Sequence, residues 1–279
     1  MFSILIATYN QLNYLKICLN SIKKNSKFNH QVIVHVNEGT DGTIEFLKKN
    51  NYEYTYSKQN AGVCVSYNEA SKLAKEKYLV IMQDDMYFCP NWDLLFYEEI
   101  KKIKHDNFFL SGTMIQPFKS YIELDCGKTY KDFNETKLLN DHPKLKFQDF
   151  QGTHWQPALL PTKTWIDVGG FSEEFTLGIG CDPDLNMKLW NKGVRIFKGL
   201  GMCRVYHFSS VTLRKANTSN DGSKTFVLKW GITIKFFKKF YLRTNEIYNG
   251  ILVEPKKNIV YYFFLLICKI KFIYYRVIG

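Results

Sequence analysis

The sequence predicts an α/β fold built on a mainly parallel sheet flanked by helices, and three observations lead there. Apolar strand-like runs alternate with helix-period segments from the first residues onward. Polar residues cluster just behind the strands, at Thr8-Tyr9-Asn10, Asn37-Glu38-Gly39 and Gln83-Asp84-Asp85, and open α/β sheets bind ligands beyond the carboxyl ends of their strands. The composition is 46% hydrophobic and 23% charged, with 17 Gly and 7 Pro in 279 residues, which excludes disordered and collagen-like chains and allows a large core.

Each element has its own reason. Residues 2–7 are apolar apart from Ser3 and read as a buried strand. Residues 12–24 place Leu12, Leu15, Cys18, Leu19 and Ile22 at helical spacing. The β-branched run 31–36 is a strand, 43–49 a short helix, 52–56 a strand, 63–75 a helix and 78–82 a short buried strand. Residues 90–104 start with Pro90 and end in lysines, both suited to a helix, and 108–115 is again strand-like. The rhythm then breaks. Residues 116–156 are polar and irregular, which marks a lid or binding loop. It resumes at 162–168, 182–192, 194–197 and 203–208. A polar stretch at 217–223 divides the chain into a body, 1–215, and a C-terminal extension, 216–279.

That extension carries most of the charge. The chain has a formal charge of +12. Residues 223–279 hold eleven Lys and Arg against Glu246 and Glu254, a net of +9. The ten apolar residues 259–268 are too few to cross a bilayer, and Lys269 and Lys271 follow directly. Basic and aromatic residues together suit an anionic membrane surface; packing on the chain's own body or in a homodimer is the alternative. The aromatics come in apolar blocks, which argues against nucleic acid. Seven scattered cysteines without a C-x-x-C pair exclude a zinc ribbon or dithiol site and fit a reducing compartment. The short apolar start lacks a basic leader. The expectation is a cytoplasmic protein, peripheral on the membrane's cytoplasmic face.

Three features point to chemistry. Asp84 and Asp85 end an apolar strand, and adjacent carboxylates repel unless a cation is near. Such oxygen donors suit Mg²⁺ or Mn²⁺ bound together with substrate phosphates; a solvated turn or a cap on the following helix is the plain alternative. Asp182-Pro183-Asp184 opens a predicted helix, where a carboxylate either complements the dipole or acts as a general base. His207 ends a strand and either joins Asp85 at a metal or sits in the core. No G-x-G-x-x-G fingerprint or phosphate-loop lysine motif follows the first strand.

The ordered set Thr8-Tyr9-Asn10, Asn37 through Thr43, Asn60-Ala61-Gly62-Val63 with Asn68, and Gln83-Asp84-Asp85 resembles the family-2 nucleotide-sugar glycosyltransferases of GT-A fold. Gly169-Gly170-Phe171-Ser172-Glu173-Glu174-Phe175 resembles that family's G-G-F-D-E-x-F. Cys181-Asp182-Pro183-Asp184-Leu185 falls at its E-D-x-D-L, and His207 with Ser210 and Thr212 at its late histidine segment. The resemblance covers roughly residues 2–215.

It implies an inverting transfer from a nucleotide sugar, a UDP-sugar above all, to a glycan or lipid-linked acceptor. Thr8, Tyr9, Asn10, Asn37 and Glu38 would hold the nucleoside, and Asn60, Gly62, Asn68 and Asp84 the ribose and diphosphate. Asp85 and His207 would bind Mn²⁺ or Mg²⁺. Asp182 would be the base, with Trp155, Gln156 and Asp184 near sugar or acceptor. The chain departs from the pattern at Gln83, Cys181 and Asn37, where the family has acids. These departures motivate a second reading, a non-catalytic nucleotide-sugar-binding homologue. A nucleotidyltransferase ranks below it, because residues 8–13 lack a basic, Gly-rich triphosphate grip.

Overall fold

The computed structural model describes residues 1–118, 120–176, 178–208 and 222–277. Its framework is one sheet made from β1 (Ser3–Tyr9), β2 (Gln31–Asn37), β3 (Glu53–Ser57), β4 (Tyr78–Gln83), β5 (Met86–Phe88), β6 (Phe108–Gln116), β9 (Ala158–Pro161) and β10 (Ile196–His207), ordered β3-β2-β1-β4-β9-β6-β10-β5. Short strands β7 (Ile122–Glu123) and β8 (Phe150–Gln151) attach to β6 and β10. β1, β2, β3 and β4 pair in parallel. β6 and β10 continue that direction beyond the opposed β9, and β5 runs against β10.

Alternation along the strands feeds two core layers. Ile4, Ile6, Val34, Val80 and Met82 face the side covered by α1 (Leu12–Asn25) and α4 (Trp92–Ile103). Leu5, Ile33, Leu79 and Ile81 face the opposite layer, with Cys64, Tyr67 and Ala70 of α3 (Gly62–Ser71) and Leu185 and Leu189 of α7 (Cys181–Asn191). Burial on both faces is why these strands read as unbroken apolar runs. The remaining helices of the body are α2 (Thr43–Lys49), α5 (Glu135–Asp141) and α6 (Thr162–Asp167).

Three expectations need correction. Residues 194–197 and 203–208 are not separate elements but parts of β10. The glycines between them are demanded by close approach: a Cβ on Gly199 would lie 1.8 Å from the Phe150 ring, and one on Gly201 2.1 Å from the Phe147 carbonyl. The 116–156 stretch is not a loose lid. Its Ile122, Cys126 and Leu138 form a third core with Tyr14, Tyr87, Tyr206 and Phe208, and the buried Arg204 guanidinium donates to the carbonyls of His142 and Leu145. Asp84 and Asp85 do not cap α4, whose N-cap is Asn91; they form the turn between β4 and β5.

The expected boundary near residue 215, with Ser210 and Thr212, lies outside the described residues. Beyond it come α8 (Gly222–Trp230), α9 (Ile234–Phe237), a π-helical turn (Lys238–Leu242) and α10 (Ile259–Val277). Phe226, Phe236, Phe237, Leu242 and Leu252 belong to the same core as Leu5, Ile81 and Trp190. Most of the extension is therefore packed into the body.

Candidate active site

β1, β2, β4, β6 and β10 end at one edge of the sheet, and eight of the expected residues gather there. Asn10 stands at φ +50° and its side chain bridges the next loop, donating to Glu38 Oε2 (3.3 Å) and accepting from the Thr40 amide (2.8 Å). Tyr9 lies open beside Glu38, whose charge pushes the phenol pKa upward. Thr8 is buried next to the acidic turn, where its hydroxyl favours ionised Asp84. Asn37, buried, is a strut: its amide donates to Ser66 Oγ (2.8 Å) and its carbonyl accepts from the Ala61 amide (2.9 Å). The β2 end thereby fixes the start of α3.

The acidic turn is enclosed. Asp84 is 8% exposed and Asp85 5%. Burial and then the charge of Asp85 lift the Asp84 pKa to about 8. His207, at the end of β10, is equally buried, with Nε2 3.3 Å from Asp85 Oδ1 and 3.1 Å from Gln83 Oε1. Its Nδ1 lies 3.0 Å from Gln116 Nε2. Two glutamines thus orient the ring, and an amide stands where the resemblance has an acid. Among the described residues no group of three or more His, Cys, Asp or Glu could hold a metal ion. One buried carboxylate facing one imidazole nonetheless fits a divalent ion whose other ligands come from phosphate oxygens and water.

Asp182 lies in the first turn of α7, behind Gly180, which N-caps the helix at φ +91°. Burial raises its pKa to about 7, while the side chains of Gln156 and Cys181 pull the other way. Tyr67 connects the two acidic centres. Its hydroxyl oxygen lies 2.8 Å from the Met82 carbonyl and 2.9 Å from Gln156 Oε1, and its single proton is shared between these two acceptors. Burial raises its pKa, and the charges of Asp84 and Asp182 raise it further. The Tyr67 hydroxyl thus links the strand that leads into the acidic turn to the Gln156 side chain that reaches Asp182. Tyr67 was missed in the sequence because a helical tyrosine on the apolar face of α3 reads as core.

The other expected residues divide. Asn60 forms an Asx turn to the Gly62 amide (3.0 Å) and is exposed. Gly62, at φ +82°, is pressed against the following segment: a Cβ there would lie 2.3 Å from the Thr176 carbonyl. Asn68 is committed to the 171–173 loop, donating to the Phe171 carbonyl and Glu173 and accepting from the Phe171 amide. It braces that loop and has no hydrogen-bonding atom left over for a diphosphate. Asp184 does not present itself to an acceptor. It is fully buried and takes hydrogen bonds from Ser172 Oγ (2.6 Å) and Trp230 Nε1 (2.8 Å), with Lys229 Nζ at 3.0 Å.

Residues 153–156 run alongside α7: Asn186 donates to the Thr153 carbonyl (2.7 Å), and Gln156 reaches Asp182. Between these points Trp155 stacks on Tyr121 and Phe150. Among the described residues its Nε1, with His154 Nδ1 and Asn186 Oδ1, is buried without a hydrogen-bond partner. Burial, and then the charge of Lys238, lower the His154 pKa to about 3. Orphaned polar atoms of this kind mark a place where a ligand or water completes the bonding.

The described backbone superposes on TarS 1–349 of S. aureus with a TM-score of 0.60 at 14% identity, covering 99% of this chain and 71% of that one. TarS in complex with UDP-GlcNAc gives 0.60 at 17% identity over 85% and 66%. These are GT-A folds. An uncharacterized glycosyltransferase of Mycoplasma genitalium, MG025, is 29% identical over 52% of this chain and 49% of its own length. Chondroitin synthase of Pasteurella multocida is 26% identical over 78% of this chain but 22% of the synthase. The chain thus spans about half of the first relative and about a fifth of the second. The family model for "Glycosyl transferase family 2" matches residues 3–154, more than half of the sequence, and so the chain belongs to glycosyl transferase family 2.

Proposed function

We propose that the chain transfers a sugar from a UDP-sugar to a hydroxyl of a glycan or lipid-linked acceptor, with inversion at the anomeric carbon. The single observation that carries this reading is the position of Asp182. It stands in the first turn of α7 with the Gln156 side chain at its carboxylate, burial lifts its pKa to about 7, and Gln156 in turn hydrogen-bonds to Tyr67, which also contacts the Met82 carbonyl beneath the acidic turn. A base must be matched to the operating pH and placed within reach of the proton it takes.

In the step proposed, the acceptor O–H proton passes to Asp182. The acceptor oxygen bonds to the anomeric carbon, and the bond from that carbon to the diphosphate oxygen breaks. The electron pair leaves with the nucleoside diphosphate. Tyr9, Asn10 and Glu38 form the open rim for the base, and Asn60 and Asp84 lie toward the ribose and diphosphate. Asp85 and His207 would hold Mn²⁺ or Mg²⁺, which when bound neutralises charge on the diphosphate. Trp155 and Gln156, joined by His154, Asn186 and Lys238, line the acceptor side. The UDP-GlcNAc complex of TarS and a GalNAc-T7 structure with UDP, GalNAc and Mn²⁺ support the donor and ion classes.

The test is a panel of nucleotide sugars with Mn²⁺ or Mg²⁺, scored by thermal stabilisation and nucleotide release. Stabilisation by a UDP-sugar, with release that collapses in Asp182→Asn while stabilisation persists, is the expected result. Full turnover in Asp182→Asn overturns the base. Stabilisation without release from any donor would establish the non-catalytic homologue instead.

A further inference from the structure

Helix α10 carries an apolar face that no part of the described chain covers. Its inner side is anchored, with Tyr261 and Cys268 buried in the core. On the opposite side Ile259, Phe263, Leu266, Ile270, Ile273 and Tyr274 follow one another at helical spacing, all more than half exposed. These six form one straight outward stripe about a third of the circumference wide. Lys269 and Arg276 border the stripe along one edge and Lys271 along the other, all exposed. Lys256 and Lys257 precede the helix, and no Asp or Glu follows Glu254. Among the described residues no helix is long and apolar enough to cross a membrane.

We infer that α10 is a docking surface for an anionic lipid bilayer, lying in the headgroup region with the stripe directed into the acyl boundary. A helix in that position needs an apolar face of this width and cationic side chains at its edges, where long stems let the charges reach the phosphates. Charge decides between occupants. A second copy pairing through the same stripe would bring Lys269, Lys271 and Arg276 of both chains together, with no carboxylate on either helix to compensate. An anionic surface supplies the missing countercharge across the whole helix. The inner anchors keep the helix attached to the body, so docking of the helix brings the body to the bilayer.

The experiment uses the full chain without donor or acceptor, so its outcome is independent of the proposed transfer. Co-sedimentation is measured with phosphatidylcholine vesicles and with vesicles containing about 30% phosphatidylglycerol, alongside light scattering for mass. We expect at least about tenfold more binding to the anionic vesicles, declining as salt is raised. Phe263→Glu with Ile270→Glu should cut it about tenfold; both positions are exposed, so the fold, checked by circular dichroism, is not at stake. Lys269→Glu, Lys271→Glu and Arg276→Glu together should abolish the anionic preference. Binding to neither vesicle, or equally to both, overturns the inference. So does a dimer that the Phe263→Glu, Ile270→Glu variant converts to monomer, which would assign the stripe to a second copy.

Discussion

Tyr67 and Gln156, 89 positions apart in the chain, share a buried hydrogen bond of 2.9 Å that joins the strand beneath the acidic turn to the side chain facing Asp182. The same hydroxyl donates to the Met82 carbonyl, two residues before Asp84. Tyr67→Phe leaves both acceptors without their donor, at a cost of about 1–3 kcal/mol. The expected result is a lower melting temperature and about a tenfold loss of turnover, with donor affinity nearly unchanged. Unaltered kcat would separate Tyr67 from the chemistry.

Asp182 gives a pH dependence of definite sign. Its carboxyl is protonated in the native state up to about pH 7, and only the ionised form accepts a proton, so kcat/KM should rise with pH through neutrality and then level off. Gln156 favours the ionised form, so Gln156→Ala should move this rise to higher pH. Stability runs the other way. Between 3.8, the ordinary value for an aspartate, and about 7 the native state holds a proton that the unfolded chain has released, and raising pH over that window destabilises the fold. Asp182→Asn should therefore melt higher than the parent at pH 8, by about 1–3 kcal/mol. A lower melting point there would contradict the assigned direction.

Divalent ions should act through Asp85 and His207. Mn²⁺ added with UDP is expected to raise the melting temperature by several degrees more than either alone. Asp85→Asn and His207→Ala should each remove the synergy. Calorimetry gives the same comparison without turnover, and retention of the synergy in both variants would move the ion elsewhere.

Asp184 should behave as a structural anchor. Asp184→Ala strips Trp230, Ser172 and Lys229 of a shared, fully buried partner, for a loss of about 3–5 kcal/mol. Acceptor KM, measured per folded molecule at low temperature, should not change. A selective rise in KM would restore Asp184 to the acceptor side.

Much of the frame was legible because its causes are local. Nine of the ten elements from residue 2 to 116 come from apolar runs and helical spacing, and their bounds fall within a few residues of the observed ones; the tenth, β5, is three residues long and shows no run of its own. The edge motifs were legible as well, since polar residues after buried strands have few other reasons to exist. Other features were not. β9 is four residues long and draws its identity from β4 and β6 on either side. β10 reads as two pieces because Gly199 and Gly201 yield to aromatic and backbone neighbours that are distant in sequence. Asn68 and Asp184 matched family positions, yet their atoms are spent on loop 171–173 and on α8. Tyr67, Asn186 and Lys238 carried no signal, because only the tertiary fold brings Tyr67 to Gln156, Asn186 to the Thr153 carbonyl and the Lys238 charge to His154.

The grip of Asp184 on Trp230 and Lys229 bears on how the chain is made. The helix that carries Asp182 rests in part on residues synthesised some forty-five positions after it. A nascent chain can complete the strands of the sheet and pack Leu185 and Leu189 of α7 against them early, but Asp184 has no partner from α8 until Lys229 and Trp230 leave the ribosome. A chain cut between α7 and α8 would therefore keep its strands yet leave the Asp184 carboxylate buried without the lysine and indole that steady it.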